Sequence, residues 1–265
     1  MPILSDITLG QYYPVDSFVH RLDPRTKLLL TLIGMTGLLI AHQFLGLCFV
    51  AGLILIGIRS SHLPVAMVLR NLRSFLWLFV LTFFIHLLFS EGVAIIRIPY
   101  VNIDVSSQGI LNGFSYSLRL ALLITFATLL TLTTSPIEIT DALEVMLGPL
   151  KRVGVPAHEL TMMMTLSLRF IPTLIAEADK LRKAQVSRGV SFHGNIMRRV
   201  KNIIPLILPL FISVFRRADE LALAMDSRCY SGGEGRTRYK ELSFNKYDYF
   251  VLLGVTLLFL FVLFL

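Results

Sequence analysis

Arg188 and Arg228 occupy the same position in two copies of one segment, and their chemistry points to docking. A guanidinium is a planar fork that can hold carboxylates or carbonyl oxygens in fixed geometry. The copies are 178–189 and 218–229, forty residues apart, and six of twelve positions are identical: Ala178/Ala218, Asp179/Asp219, Leu181/Leu221, Ala184/Ala224, Ser187/Ser227 and Arg188/Arg228. Each copy reads as the end of a long helix, with small residues on the approach and an arginine at the tip. One arginine at a helix C-terminus is worth about 0.3–1 kcal/mol against the helix dipole, and Gly189 suits an ordinary helix stop. A dipole needs only some cation, however, and does not require matched Ala, Asp, Leu, Ala and Ser. Ser187-Arg188-Gly189 and Ser227-Arg228-Cys229 therefore read as two matched docking sites for two similar partner subunits.

Other chemistry is sparse. The chain has no G-x-x-x-x-G-K-[ST] for nucleotide phosphates and no G-x-S-x-G, and His158-Glu159 lacks the second histidine of a zinc-protease helix. Cys48 and Cys229 form no C-x-x-C or Cys/His cluster, so neither a disulfide framework nor a zinc site is expected. The six histidines are scattered, and a lone one such as His86 reads as a packed or interfacial residue. Met162-Met163-Met164 suits either an adaptable contact surface or core filling. The expectation is no catalytic residue, no cofactor and no metal.

The elements that must position the tips are helices, most of them in a membrane. Of 265 residues, 55% are apolar and 16% charged, with a mean hydropathy of +0.72. Soluble domains run near 45–50% apolar and ~25% charged. A formal charge of +8 in such a chain marks cytoplasmic loops rather than a nucleic-acid surface. Uncharged runs cover 28–58, 74–90 and 249–265, and 109–134 is apolar except for Arg119. Arg119 is expected to face other helices or the headgroups, because a midplane charge is costly. Residues 1–19 carry Asp6 and Asp16 and no Lys or Arg, which does not fit a cleaved leader.

A span takes ~20 residues, so 28–58 is long for one and short for two, with a polar break at Ala41-His42-Gln43. Two short helices turning near His42 put 23 of the 25 basic residues on one side, as cytoplasmic loops require. One long tilted span remains the alternative. The preferred reading is an all-α polytopic membrane protein with about five transmembrane helices. Its parts are a cytoplasmic segment 1–26, transmembrane helices 1–4 over 27–134, a cytoplasmic helical domain 135–246, and a last span over 247–265. Within 135–246, Ser135-Pro136-Ile137-Glu138 spells a helix start with a capping box, ending at Gly148-Pro149. A second helix runs from near Pro156 toward Gly189, kinked at Pro172. Its apolar face is Leu160, Met163, Met164, Ile171, Leu174, Ala178 and Leu181. A third covers roughly 196–228. Its apolar run, 203–215, is short for a span and suits packing on helices or lying at the membrane surface.

These features resemble the transmembrane T component of energy-coupling factor (ECF) transporters, the EcfT and CbiQ-like family. His20-Arg21-Leu22-Asp23-Pro24-Arg25-Thr26-Lys27-Leu28 resembles the family's H-x-L-D-P-R-x-K-L entry. Thr133-Thr134-Ser135-Pro136 with Asp141-Ala142-Leu143-Glu144 is similar to its T-S-P…A-L-E segment, and Leu168-Arg169-Phe170-Ile171-Pro172 to its R-F-I-P element. The two tips match its paired Ala-Arg-Gly-like signatures, with Ser for Ala in both and Cys229 for Gly in the second. The resemblance implies a scaffold in the cell membrane that is not itself an enzyme. Its implied partners are two ABC-type ATPase subunits at the tips and one substrate-binding membrane subunit (S component), with long coupling helices carrying the ATPases' motion to that subunit for uptake of vitamins or other micronutrients. A conventional ABC importer permease is the alternative. It would form its own pathway, with one coupling site per chain rather than two.

Overall fold

The computed structural model describes residues 12–41, 43–90, 94–98, 103–190, 196–233 and 243–264. Among the described residues the fold is helical, and it departs from the all-α expectation in one short antiparallel hairpin, β1 (Ala94–Ile98) and β2 (Ile103–Ser106). The described residues fall into two units: 12–142 with 243–264, and 143–233.

The first unit opens with α1 (Phe18–Arg21) and α2 (Pro24–Ile40). The His20–Leu28 motif is the turn that joins them. Ser17 caps α1 by accepting the His20 N–H. Asp23 caps α2 by accepting the Arg25 N–H at 2.9 Å, and Pro24 opens the helix. The His20 ring is held at both nitrogens, by the Ser17 hydroxyl at 2.6 Å and the Tyr13 carbonyl at 3.1 Å. Asp248, buried at the start of α10 (Lys246–Phe264), accepts the Asp23 N–H at 2.9 Å and the Asn245 N–H at 2.8 Å. One carboxylate thus ties the α1–α2 turn to the beginning of α10.

The 28–58 run divides, as the charge count favours. α2 ends at Ile40 and α3 covers Phe44–Ser60; His42 lies outside the described residues. Each helix has 17 residues, about 26 Å at 1.5 Å per residue, against a hydrocarbon core of ~30 Å. The 74–90 run is α5 (Leu76–Phe89), and before it stands α4 (Val65–Ser74), bent by 56° from α5. The charge-bounded count missed α4, because Arg70 and Arg73 sit on the helix rather than beside it.

Long α6 (Ser107–Thr133) packs on α5 through Gly109 and Gly113. A Cβ on Gly109 would stand 3.1 Å from the His86 and Leu87 carbonyl oxygens, and one on Gly113 would stand 3.0 Å from the Phe83 carbonyl. Small residues four apart let helix backbones approach in this way. On α2, Gly34 and Gly37 leave room for the rings of Phe126 and Phe259. Leu38, Leu47, Val50, Ile54, Leu122, Leu132 and Phe259 form the apolar core around them.

Two cations fasten α2 to α6, one at each end of α2. Lys27, buried, donates from Nζ to the Thr133 carbonyl at 3.0 Å and the His20 carbonyl at 2.9 Å. Arg119 donates to the Ala41 carbonyl at the C-terminal end of α2 and lies over the Tyr116 ring at 5.0 Å. Both exploit the unpaired carbonyls of a helix end. Arg119 therefore faces a neighbouring helix, as its cost in lipid demands.

α7 (Pro136–Leu147) starts with the expected capping box: Glu138 N–H donates to the Ser135 hydroxyl at 3.3 Å and Ser135 N–H to the Glu138 carboxylate at 3.1 Å. A 3-10 turn over Gly148–Val153 follows, closed by Gly154 at φ +89°. The second unit holds α8 (Ala157–Ser187) and α9 (Ile196–Asp226). Among the described residues, α6 and α8 are long and apolar enough to cross a membrane, and the bent pair α4–α5 makes a third if it crosses as one.

Candidate docking tips

The two tips end their helices with the same three backbone bonds. At the end of α8, Arg188 N–H donates to Gln185 O at 3.1 Å, Gly189 N–H to Val186 O at 2.9 Å and Val190 N–H to Gln185 O at 3.0 Å. At the end of α9, Arg228 N–H donates to Met225 O at 3.1 Å, Cys229 N–H to Asp226 O at 2.9 Å and Tyr230 N–H to Met225 O at 3.1 Å. Each is a Schellman end, in which a left-handed residue lets the chain turn back and satisfy the last carbonyls. That residue is Gly189 at φ +86° in one tip and Cys229 at φ +56° in the other. Ser187 and Ser227 each donate their hydroxyl to the carbonyl four residues back, Lys183 and Leu223. Ser187, Arg188, Gly189, Ser227, Arg228 and Cys229 are all exposed.

The helices behind the tips are antiparallel. Ser213 donates to the Glu177 carboxylate, and Arg217 pairs with the same group at 3.5 Å and lies 5.8 Å from the Phe170 ring centre. Farther along, Leu221 and Met225 share a cavity of about 410 Å³ with Met162 and Leu166 of α8. Rising numbers on α9 meet falling numbers on α8, so the tips lie at opposite ends of the pair. Glu177 and Arg217 are themselves forty apart: the residue just before each repeat copy meets its counterpart across the crossing.

The face of α8 that packs on α9 only partly matches the one that the periodicity selects, of which Ile171, Leu174, Ala178 and Leu181 are half-buried. Met162, Leu166, Phe170 and Glu177 meet α9, whereas Leu160, Met163 and Met164 are exposed. The helix is apolar on more than one side, so periodicity cannot choose between faces. On α9, Ile203, Ile204, Ile207, Leu208, Phe211, Ile212 and Phe215 are exposed too.

The second tip has an anchor that sequence reasoning missed. The Tyr230 hydroxyl lies 3.4 Å from His158 Nε2 and donates to Met162 Sδ at 3.2 Å. His158 Nδ1 lies 2.9 Å from a Glu144 carboxylate oxygen. Among the described residues no group of three or more His, Cys, Asp or Glu is placed to hold a metal ion, and Cys48 and Cys229 are free and exposed.

The CbiQ family profile, described as cobalt transport protein, matches residues 16–239. The chain is 50% identical over 262 residues to the energy-coupling factor transporter transmembrane protein EcfT of Acidaminococcus fermentans, covering 98% of this chain and 96% of that one. It is 48% identical over 246 residues to the protein of the same name from Thermosediminibacter oceani, with 92% of each chain covered. The Bacillus subtilis protein of that name is 44% identical over 259 residues, with 97% of each covered.

Proposed function

We infer the mechanism from one premise: the chain belongs to the CbiQ family of transport proteins and is the transmembrane component of an energy-coupling factor transporter. We propose that it docks two ABC-type ATPase subunits, one at Ser187-Arg188-Gly189 and one at Ser227-Arg228-Cys229, and a substrate-binding membrane subunit elsewhere. The observation that carries this is the repeated helix end, which presents the same exposed arginine on the same backbone geometry twice. Two equivalent tips at opposite ends of an antiparallel pair suit two related subunits on either side of a two-fold axis. When the ATPases close on ATP, their motion is delivered to the C-terminal ends of α8 and α9. The contact of Glu177 with Ser213 and Arg217 is the point at which the pair is held while the tips move. The exposed apolar stripe of α9, from Ile203 to Phe215, faces the substrate-binding subunit or lipid.

The reading includes five membrane helices, with α2 and α3 as separate short spans, α4–α5 as one bent span, then α6 and α10, and with 135–246 in the cytoplasm. The C-terminal half of α8 carries Glu177, Asp179, Lys180, Arg182 and Lys183, which supports a place outside the hydrocarbon despite the length of the helix. ATP hydrolysis belongs to the partner subunits.

The deciding experiment is the lysine series. Arg188→Lys and Arg228→Lys keep the charge and lose the planar fork. Truncating a paired interfacial charge costs ~2–5 kcal/mol, tenfold or more in affinity at ~1.4 kcal/mol per decade, while dipole compensation is worth under ~1 kcal/mol and tolerates lysine. In proteoliposomes the double lysine variant should lose ATP-driven uptake. If it assembles and transports like the parent, specific docking by the arginines is wrong.

A further inference from the structure

We propose that Glu144, His158 and Tyr230 position the Arg228 tip and make the two tips mechanically unequal; this rests on the reading of Arg228 as a docking residue. Tyr230 is the second residue after Arg228, and its N–H closes the Schellman end on Met225. Its hydroxyl reaches His158 Nε2 and Met162 Sδ on the first turns of α8. A carboxylate can only accept, so His158 Nδ1–H donates to Glu144, and the other ring nitrogen, Nε2, faces the Tyr230 hydroxyl. The chain beyond the tip then passes close over the same histidine: a Cβ on Gly233 would lie 2.7 Å from its ring. His158 is therefore gripped by Glu144 from α7, by the Tyr230 hydroxyl, and by the backbone at Gly233.

At the first tip the positions that match this anchor carry other residues. Forty residues before Tyr230 stands Val190, which has no hydroxyl, and forty after His158 stands Arg198. The backbone repeat is kept, and these side chains are not. Force on Arg228 passes through Tyr230 and His158 to Glu144, on the helix that directly follows α6 in the chain. Arg188 lies thirty residues along α8 from His158, about 45 Å at 1.5 Å per residue, with the Glu177 contact to α9 between them.

The test uses the chain with its substrate-binding subunit in nanodiscs, titrated with the purified ATPase pair, and uptake in proteoliposomes as a second readout. Tyr230→Phe keeps the ring and removes the hydroxyl. It should weaken ATPase binding about two- to tenfold, one hydrogen bond's worth, and lower uptake. The loss should vanish in an Arg228→Ala background and persist in full in an Arg188→Ala background. Glu144→Gln, which still accepts a hydrogen bond, should cost less than Glu144→Leu. Equal losses in both arginine backgrounds would mean general destabilisation and overturn the proposal, as would no loss in the parent. If Arg228→Ala itself leaves ATPase binding unchanged, the docking reading fails first and takes this proposal with it.

Discussion

Replacing Lys27 by methionine tests how α2 is held in the bundle. Lys27 is 5% exposed, and its ammonium serves the carbonyls of His20 and Thr133. Methionine fills similar volume and leaves both oxygens without that donor, at about 1–3 kcal/mol per unsatisfied group. It also removes the cation near Glu138, Asp23 and Asp248. Part of this is offset because a buried charge no longer has to be desolvated, so the net expectation is a loss of about 2–4 kcal/mol. Arg119→Met removes one bond to the Ala41 carbonyl and the contact with the Tyr116 ring from a half-buried site, for about 1–2 kcal/mol. Lys27 and the Ala41 carbonyl mark opposite ends of a 17-residue helix, about 26 Å, so the double variant should equal the sum within ~0.5 kcal/mol. The assay is the melting midpoint of the protein purified in mild detergent. At about 2–4 °C per kcal/mol for chains of 150–250 residues, Lys27→Met should lower it by roughly 4–16 °C and Arg119→Met by roughly 2–8 °C. A Lys27→Met protein as stable as the parent would refute the view that these cations hold the helix ends. A double variant far from the sum would refute their independence.

Two further outcomes concern the second tip. Cys229 sits at φ +56°, where a side chain costs about 1–2 kcal/mol that glycine avoids; Cys229→Gly should slow exchange of the Tyr230 amide about fivefold for each ~1 kcal/mol, and faster exchange would contradict the strain. Cys229 is also free and exposed, so in a Cys48→Ser background a membrane-impermeant maleimide should label it in inside-out vesicles and not in right-side-out ones; the opposite result would invert the proposed topology.

Punctuation and capping were legible in the sequence because their chemistry is local. Ser135-Pro136-Ile137-Glu138 is a capping box in four letters, and the break after Ile40 follows from a polar interruption in an apolar run. The tips were legible because a repeat of residue types at a fixed offset predicts a repeat of backbone geometry, which the hydrogen bonds bear out. What the sequence did not yield depends on which sides of apolar helices meet. α8 carries apolar residues on several faces, and the choice of Met162 and Leu166 over Leu160 and Met163 is made by α9. Glu144, His158 and Tyr230 are far apart in sequence and of unremarkable type, so only the fold brings them together. One missed signal was present: Gly109 and Gly113 are four apart at the start of α6, the spacing of close helix packing, and they set the α5–α6 contact.

On the docking reading, the repeat also bears on why one chain suffices where a conventional importer permease would use two. A permease with a single coupling site reaches a pair of ATPases by pairing with a second copy, and symmetry then gives each ATPase an identical contact. Here both ends come from one chain, and at the tips the equivalence is confined to the backbone, the serine and the arginine. Around that shared geometry the side chains are free to differ, and they do: Asp179 is paired with Arg182 and Lys183, whereas the matching stretch after Asp219 has Ala222 and Leu223. Gly189 corresponds to Cys229, and Val190 to Tyr230. On the docking reading, the conserved part fixes how an ATPase groove meets the arginine, and the divergent part fixes what lies behind it. Substitutions at Ser187, Arg188, Ser227 or Arg228 therefore address attachment, while those at Glu144, His158 or Tyr230 address the stiffness of one attachment alone.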